Sequence, residues 1–94
     1  MLHPSIFISL LKEVNPADDR TELADFALHL LFDAHAYPFD LSRLLKLQQV
    51  NFLLARGVLN YCLVEPACIV YFSEDSLKDA FLFSSDAAAK GHSA

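Results

Sequence analysis

Four polar side chains recur along one side of a predicted helix and are of the types that bind divalent metals. Steps of three, four and four residues place on one helical face Glu22, Asp25, His29 and Asp33. Carboxylate and imidazole groups are ordinary metal ligands, and His35 just beyond the helix could add another. No second helix carries a matching Glu-x-x-His pair. We therefore interpret these residues as a solvated helix face, and we predict no metal and no other cofactor.

The nucleophilic side chains lack the partners that catalysis requires. Five residues separate Cys62 from Cys68, which matches neither a redox pair nor a usual zinc spacing. We expect both thiols to be buried small apolar groups that stay reduced in the cytoplasm. Ser42 lies outside any Gly-x-Ser-x-Gly motif, and two glycines cannot build a phosphate-binding loop. We predict that the protein is not an enzyme.

The composition indicates more apolar surface than one small core can hide. The chain has 94 residues, enough for one domain, and 54% of them are apolar, including eight Phe and three Tyr. Globular proteins average nearer 45–50%. We infer an exposed apolar patch that forms a homodimer or binds a protein partner. Besides Phe7, the candidate interface residues are Phe32, Tyr37, Phe39, Tyr61, Tyr71, Phe72, Phe81 and Phe83.

The charge balance argues against nucleic acid as a partner. Seven basic and twelve acidic residues give a net charge of −5, and the basic residues are spread along the chain. A helix-turn-helix regulator stays open as an alternative, with residues 41–46 and 48–56 as its helices and 61–72 as a wing. In it Gln48, Gln49 and Asn51 would read base edges. A nearer alternative is an acidic inhibitor or immunity-type protein that covers a basic partner.

The apolar periodicity predicts a mainly α fold, a small orthogonal bundle of four to five helices. We predict that residues 38–56 form the central element, because Asp40 is a good N-cap and leucines recur at helical spacing. This stretch could stop at Gly57, run through it, or break near residues 47–48. A short helix follows Pro4, a second spans about 20–34 with Asp18, Asp19 or Thr21 as its cap, and the last spans 74–83.

Residues 58–72 allow two readings, because such short runs cannot be assigned by periodicity alone. We favour a helix that continues to Val64 and breaks at Pro66. The alternative is a short β-hairpin, which would make an α+β, winged-helix-like fold. We expect one domain over residues 1–84 and a flexible tail over 85–94. The N-terminus does not resemble a signal peptide and no run is long enough to span a membrane, which favours a cytoplasmic protein.

Three segments resemble a family of small bacterial domains of unknown function that occur on plasmids and mobile elements. They are ADFALHLL at 24–31, FDLSRLLKL at 39–47 and YFSEDSLKDAF at 71–81. The likeness covers roughly residues 23–83. It implies a mostly helical fold and assigns neither an activity nor functional residues. This chain departs from the family at Gln48 and Gln49, where an acidic residue is usual.

Overall fold

The computed structural model describes residues 1–67 and 72–85, and within them the chain forms helices and no strand. The α-helices are α1 (Pro4–Leu10), α2 (Ala17–Leu31), α3 (Gln49–Val64) and α4 (Lys78–Phe83), with 3₁₀ helices at Leu11–Glu13 and Leu41–Lys46. The radius of gyration is 12.4 Å, as expected for a folded chain of this length. The predicted mainly α bundle is confirmed. None of the helices described is long and apolar enough to cross a membrane.

The central element is α2 rather than the predicted stretch 38–56. Helix α2 packs against α1, α3, α4 and both 3₁₀ helices. Six consecutive residues, 23–28, are buried, so this helix is covered on nearly every side. An all-round cover suits a helix that is dense in Leu, Phe and Ala. Stretch 38–56 instead divides into a 3₁₀ helix and the first half of α3, which pack against α2 from outside.

The start of α2 differs from the prediction. The helix begins at Ala17 with Pro16 as N-cap, and none of the predicted caps bonds to its first turn. The Asp19 carboxylate instead accepts hydrogen bonds from the Gln48 backbone N–H at 3.0 Å and from Asn51 Nδ2 at 2.7 Å. Asp19 therefore stabilises the start of α3, a helix about thirty residues later, because an N-terminal N–H has no partner within its own helix.

Residues 41–46 form a 3₁₀ helix, and this changes which leucines are buried. In a 3₁₀ helix residues three apart share a face, and Leu44 and Leu47 on that face are buried; Leu41 has the same spacing but lies at the exposed start of the helix. Leu41 and Leu45 were predicted to belong to the apolar face of an α-helix, but they are 60% and 79% exposed. Asp40 caps this helix as predicted, with Oδ1 accepting from the Ser42 N–H at 2.9 Å.

The Asp40 cap gives a pH prediction. The hydrogen bond from the Ser42 backbone lowers the pKa of Asp40 below its ordinary value of 3.8. A carboxyl with a lowered folded-state pKa contributes stability above its unfolded pKa and loses it as pH falls through the folded pKa. We expect an NMR titration of this carboxyl to have its midpoint below 3.8. A midpoint at or above that value would show that the cap does not form in solution.

Helix α3 runs through Gly57 to Val64, as the favoured reading of 58–64 predicts. The hairpin and the wing are wrong for these residues, because the ladder of helical hydrogen bonds continues to Glu65 N–H; residues 68–71 lie outside the described part. Gly57 allows a close approach of the N-terminus, since a Cβ there would lie 3.1 Å from Leu2 Cβ, tighter than an ordinary contact. Leu2 N–H also donates to Gly57 C=O at 2.9 Å. This contact fixes the chain terminus on α3.

The last helix is shorter than predicted. A turn held by Ser73 and Ser76 hydrogen bonds precedes α4, so the helix begins at Lys78. Leu77 and Ala80 are fully buried and hold α4 against α2, while Phe81 is half-buried. Ser85, the first residue of the predicted tail, is bonded to Asp25. Residues 86–94 lie outside the described part, so the flexible tail stays a prediction.

Candidate protein-binding surfaces

The four residues of the candidate metal stripe are not brought together around a common point, and the predicted solvated face is wrong for Asp25, which is buried. Glu22 and Asp25 both accept from Arg43, Nε to Glu22 Oε2 at 2.6 Å and Nη2 to Asp25 Oδ2 at 2.7 Å. His29 Nδ1 donates to the Tyr37 C=O at 2.8 Å. Asp33 Oδ1 accepts two backbone N–H groups in the turn after α2. Over residues 1–67 and 72–85, no cluster of three such side chains could hold a metal.

Arg43 and Ser85 supply the hydrogen bonds that allow the Asp25 carboxylate to be buried. Asp25 also accepts from Ser85, from the backbone N–H at 2.9 Å and from Oγ at 2.7 Å. The Arg43 guanidinium lies over the Phe39 ring at 4.4 Å. Its hydrogen bonds to Glu22 and then Asp25 raise the pKa of Arg43 above its usual value, against the effect of partial burial. These groups join the second 3₁₀ helix, α2 and the end of α4.

One cluster of rings lies where α4 meets the end of α2, with Phe32 exposed and Tyr37 and Phe81 half-buried. The Phe81 ring packs edge-on against Phe32 at 5.1 Å and Tyr37 at 6.0 Å, and these two rings are 5.9 Å apart. Phe32 is 40% exposed, and Leu82, which follows Phe81 on α4, is 65% exposed. We call these four side chains the aromatic surface. It contains three of the predicted interface residues.

Acidic side chains border the aromatic surface. An open groove of about 810 Å³ is lined by Phe81 and Leu82 together with Glu74, Asp75 and Lys78. Both acids are exposed on the turn before α4, and neither forms an ion pair with another described residue. The border therefore has two free carboxylates and one ammonium.

A second apolar surface follows the seam between α1 and α3, which run antiparallel. At one end Leu2 meets Gly57 and the His3 ring lies 4.9 Å from the Tyr61 ring. At the other end a groove of about 330 Å³ contains Leu10, Val14, Val50 and Leu54, with Glu13 at its edge. Ile6 and Leu53 lie one turn along from Leu10 and Val50 on the same helix faces. We use the name aliphatic face for the five side chains of Ile6, Leu10, Val50, Leu53 and Leu54.

The other predicted interface residues have structural contacts. Phe7 is buried, and its ring is edge-on to Phe26 at 6.3 Å. Phe39 lies between Phe26 and Arg43, Phe83 lies 5.1 Å below Arg20, and Tyr61 packs on His3. Phe72 packs partly on the core, and Tyr71 lies outside the described residues. The exposed apolar side chains are mostly aliphatic.

The interface predicted from the sequence contained only Phe and Tyr residues, so it did not include the aliphatic face. A usable signal was present: α1 contains no charged residue, and neither do residues 49–55 at the start of α3. A solvent-facing helix normally carries charges on its outer side. Ile6 and Val50 are 51% and 64% exposed, so the missing charges mark an uncovered surface.

One of the three side chains predicted to read base edges is used inside the protein, while Gln48 and Gln49 are exposed. Asn51 is buried, and its Nδ2 donates to Asn15 C=O and to the Asp19 carboxylate, both at 2.7 Å. Residues 61–64 belong to α3 and form no wing. The geometry therefore gives no support to the helix-turn-helix alternative.

No protein-family model matches this chain, and no similar curated protein or solved structure was found. The resemblance to the plasmid-associated family stays a prediction. Function must therefore be argued from the two surfaces.

Proposed function

We propose that this chain is a small, non-catalytic, cytoplasmic protein that acts through protein–protein interaction and forms a homodimer through the aliphatic face. The observation that supports this is an exposed apolar face on two adjacent helices that carry no charge across it. Contiguous apolar surface of this kind is unusual on a monomer and is typical of interaction sites.

The scarcity of acidic residues at the aliphatic face allows a second copy of the chain to cover it. Each chain has a net charge of −5, so two copies repel wherever acids face each other. The aliphatic face avoids this, because only Glu13 borders its groove. A two-fold axis through the face would pair the same antiparallel helices of both copies. Burial then removes aliphatic groups from water and brings only Glu13 of the groove-lining residues as a charge to the interface.

The test is absolute mass by light scattering over a concentration series. We expect twice the monomer mass of 10.5 kDa at low micromolar concentration. Replacing Val50 and Leu53 together by Glu should weaken the dimer at least about 100-fold, since two buried carboxylates would face their symmetry mates. Circular dichroism should remain helical, because both side chains are exposed.

Leu63→Glu is the matched control. Leu63 is on the same helix and 71% exposed, but it lies ten residues beyond Leu53, more than two turns along the helix from the aliphatic face. The Leu63→Glu variant should dimerise like the unmodified chain. A chain that stays monomeric at every concentration would refute self-association, and equal disruption by Leu63→Glu would place the interface elsewhere on α3.

A further inference from the structure

We propose that the aromatic surface binds a basic segment of a different protein, one that presents a large apolar side chain flanked by Lys or Arg. This does not depend on self-association, because the aromatic surface is formed by α4 and the residues just after α2, and the aliphatic face by α1 and α3. It assigns a partner chemistry to a surface that the homodimer leaves open.

The apolar centre has the features of a binding hot spot. Phe81 is held by edge-on contacts to two other rings, so its position is fixed before a partner arrives. Leu82 next to it is 65% exposed and lines the groove. Aromatic and aliphatic groups at the centre of a polar border are where interfaces concentrate their binding energy.

The acidic border selects the partner. Glu74 and Asp75 line the same groove as Leu82 and have no ion-pair partner among the described residues. Lys78 supplies a single positive charge against them. A second copy of this chain would bring carboxylates against carboxylates, and a phosphate backbone would be repelled in the same way. A segment with Lys or Arg next to its apolar anchor satisfies both parts of the surface.

The border is preformed rather than assembled on binding. Ser76 Oγ donates to Ser73 C=O at 2.9 Å and accepts from Ser73 N–H at the same distance, so the acids lie on a closed turn. Fully buried Leu77 and Ala80 then hold this turn and α4 against the body of the protein. A preformed site loses little conformational entropy when it binds.

The experiment uses three fluorescein-labelled helical peptides of equal length, made of Leu and Lys, of Leu and Glu, and of Ser and Lys. Fluorescence anisotropy should show binding of the Leu/Lys peptide only, and that binding should weaken as salt is raised. Leu82→Ser should weaken it at least about tenfold. Glu74→Gln with Asp75→Asn should weaken it several-fold and flatten the salt dependence.

Two controls separate this site from general attraction to an acidic protein. Leu45→Ser removes a leucine that is 79% exposed on another face and should leave peptide affinity unchanged. Asp18→Asn removes an exposed carboxylate that does not line the groove and should change neither the affinity nor its salt dependence by more than a small factor. NMR shifts on titration should centre on Phe32 and residues 74–82. Unchanged affinity in Leu82→Ser, or shifts spread over other acidic regions, would overturn the proposal.

Discussion

Replacing Phe26 with alanine is expected to lower the free energy of unfolding by about 3–5 kcal/mol, the usual cost of deleting a buried Phe side chain. Phe26 lies in the middle of α2 and is 1% exposed. Its ring makes edge-on contacts with Phe7 at 6.3 Å and Phe39 at 5.5 Å. Deletion leaves a cavity where three elements meet, and surrounding residues on rigid helices can close it only in part.

Urea denaturation followed by circular dichroism measures this effect. Phe32→Ala is the matched control, because Phe32 lies on the same helix and loses the same atoms but is 40% exposed. We expect it to cost less than about 1 kcal/mol. Equal costs for the two variants would mean that Phe32 is part of the core, and the aromatic surface would then lose its exposed anchor.

Replacing Asp19 with alanine is expected to lower the free energy of unfolding by roughly 3 kcal/mol, since hydrogen bonds to charged groups contribute about 1.5–3 kcal/mol each. The buried Asp19 carboxylate accepts from the Gln48 N–H and from Asn51 Nδ2. Asn51 keeps its bond to Asn15 C=O in the variant, but Gln48 N–H loses its partner at the start of α3.

Denaturation again gives the free energy, and amide hydrogen exchange locates the change. The amides at the start of α3 should exchange faster in Asp19→Ala than those of α2. Asp18→Ala is the control, because this neighbour is exposed and lies in the same helical turn; it should cost about 0.5 kcal/mol or less. If both variants cost the same, Asp19 acts through the helix dipole of α2 and does not fix α3.

The two proposed surfaces both expose apolar side chains, but the charges around them differ and therefore suit different partners. The aliphatic face has no charge across it and therefore suits a copy of the same acidic chain. Carboxylates border the aromatic surface, so it suits a partner of the opposite charge. A homodimer with one acidic groove per subunit, each with an apolar centre, could also bind a basic partner. It would then have both the proposed self-association and the function of the acidic-inhibitor alternative.

The sequence alone was sufficient for features that depend on neighbours along the chain. Apolar spacing predicted α1 and most of α2, because a helix repeats every 3.6 residues whatever it packs against. The continuation of α3 to Val64 was the favoured of two readings that spacing left open. The Asp40 cap was predictable because its partner is two residues away. Composition alone indicated exposed apolar surface, since a chain of 94 residues has too little interior for 54% apolar residues.

Only the tertiary structure decided which polar and aromatic side chains are used internally. Arg43 reaches Glu22 and Asp25 across about twenty residues of sequence, and Asp19 reaches Gln48 across about thirty. Such pairs leave no local pattern, so four ligand-type residues looked like one helix face. Burial of Phe7 and exposure of Phe32 likewise follow from which helices lie against them. Helical periodicity gives a side chain's direction on its own helix, and the packing of the other helices decides what it meets there.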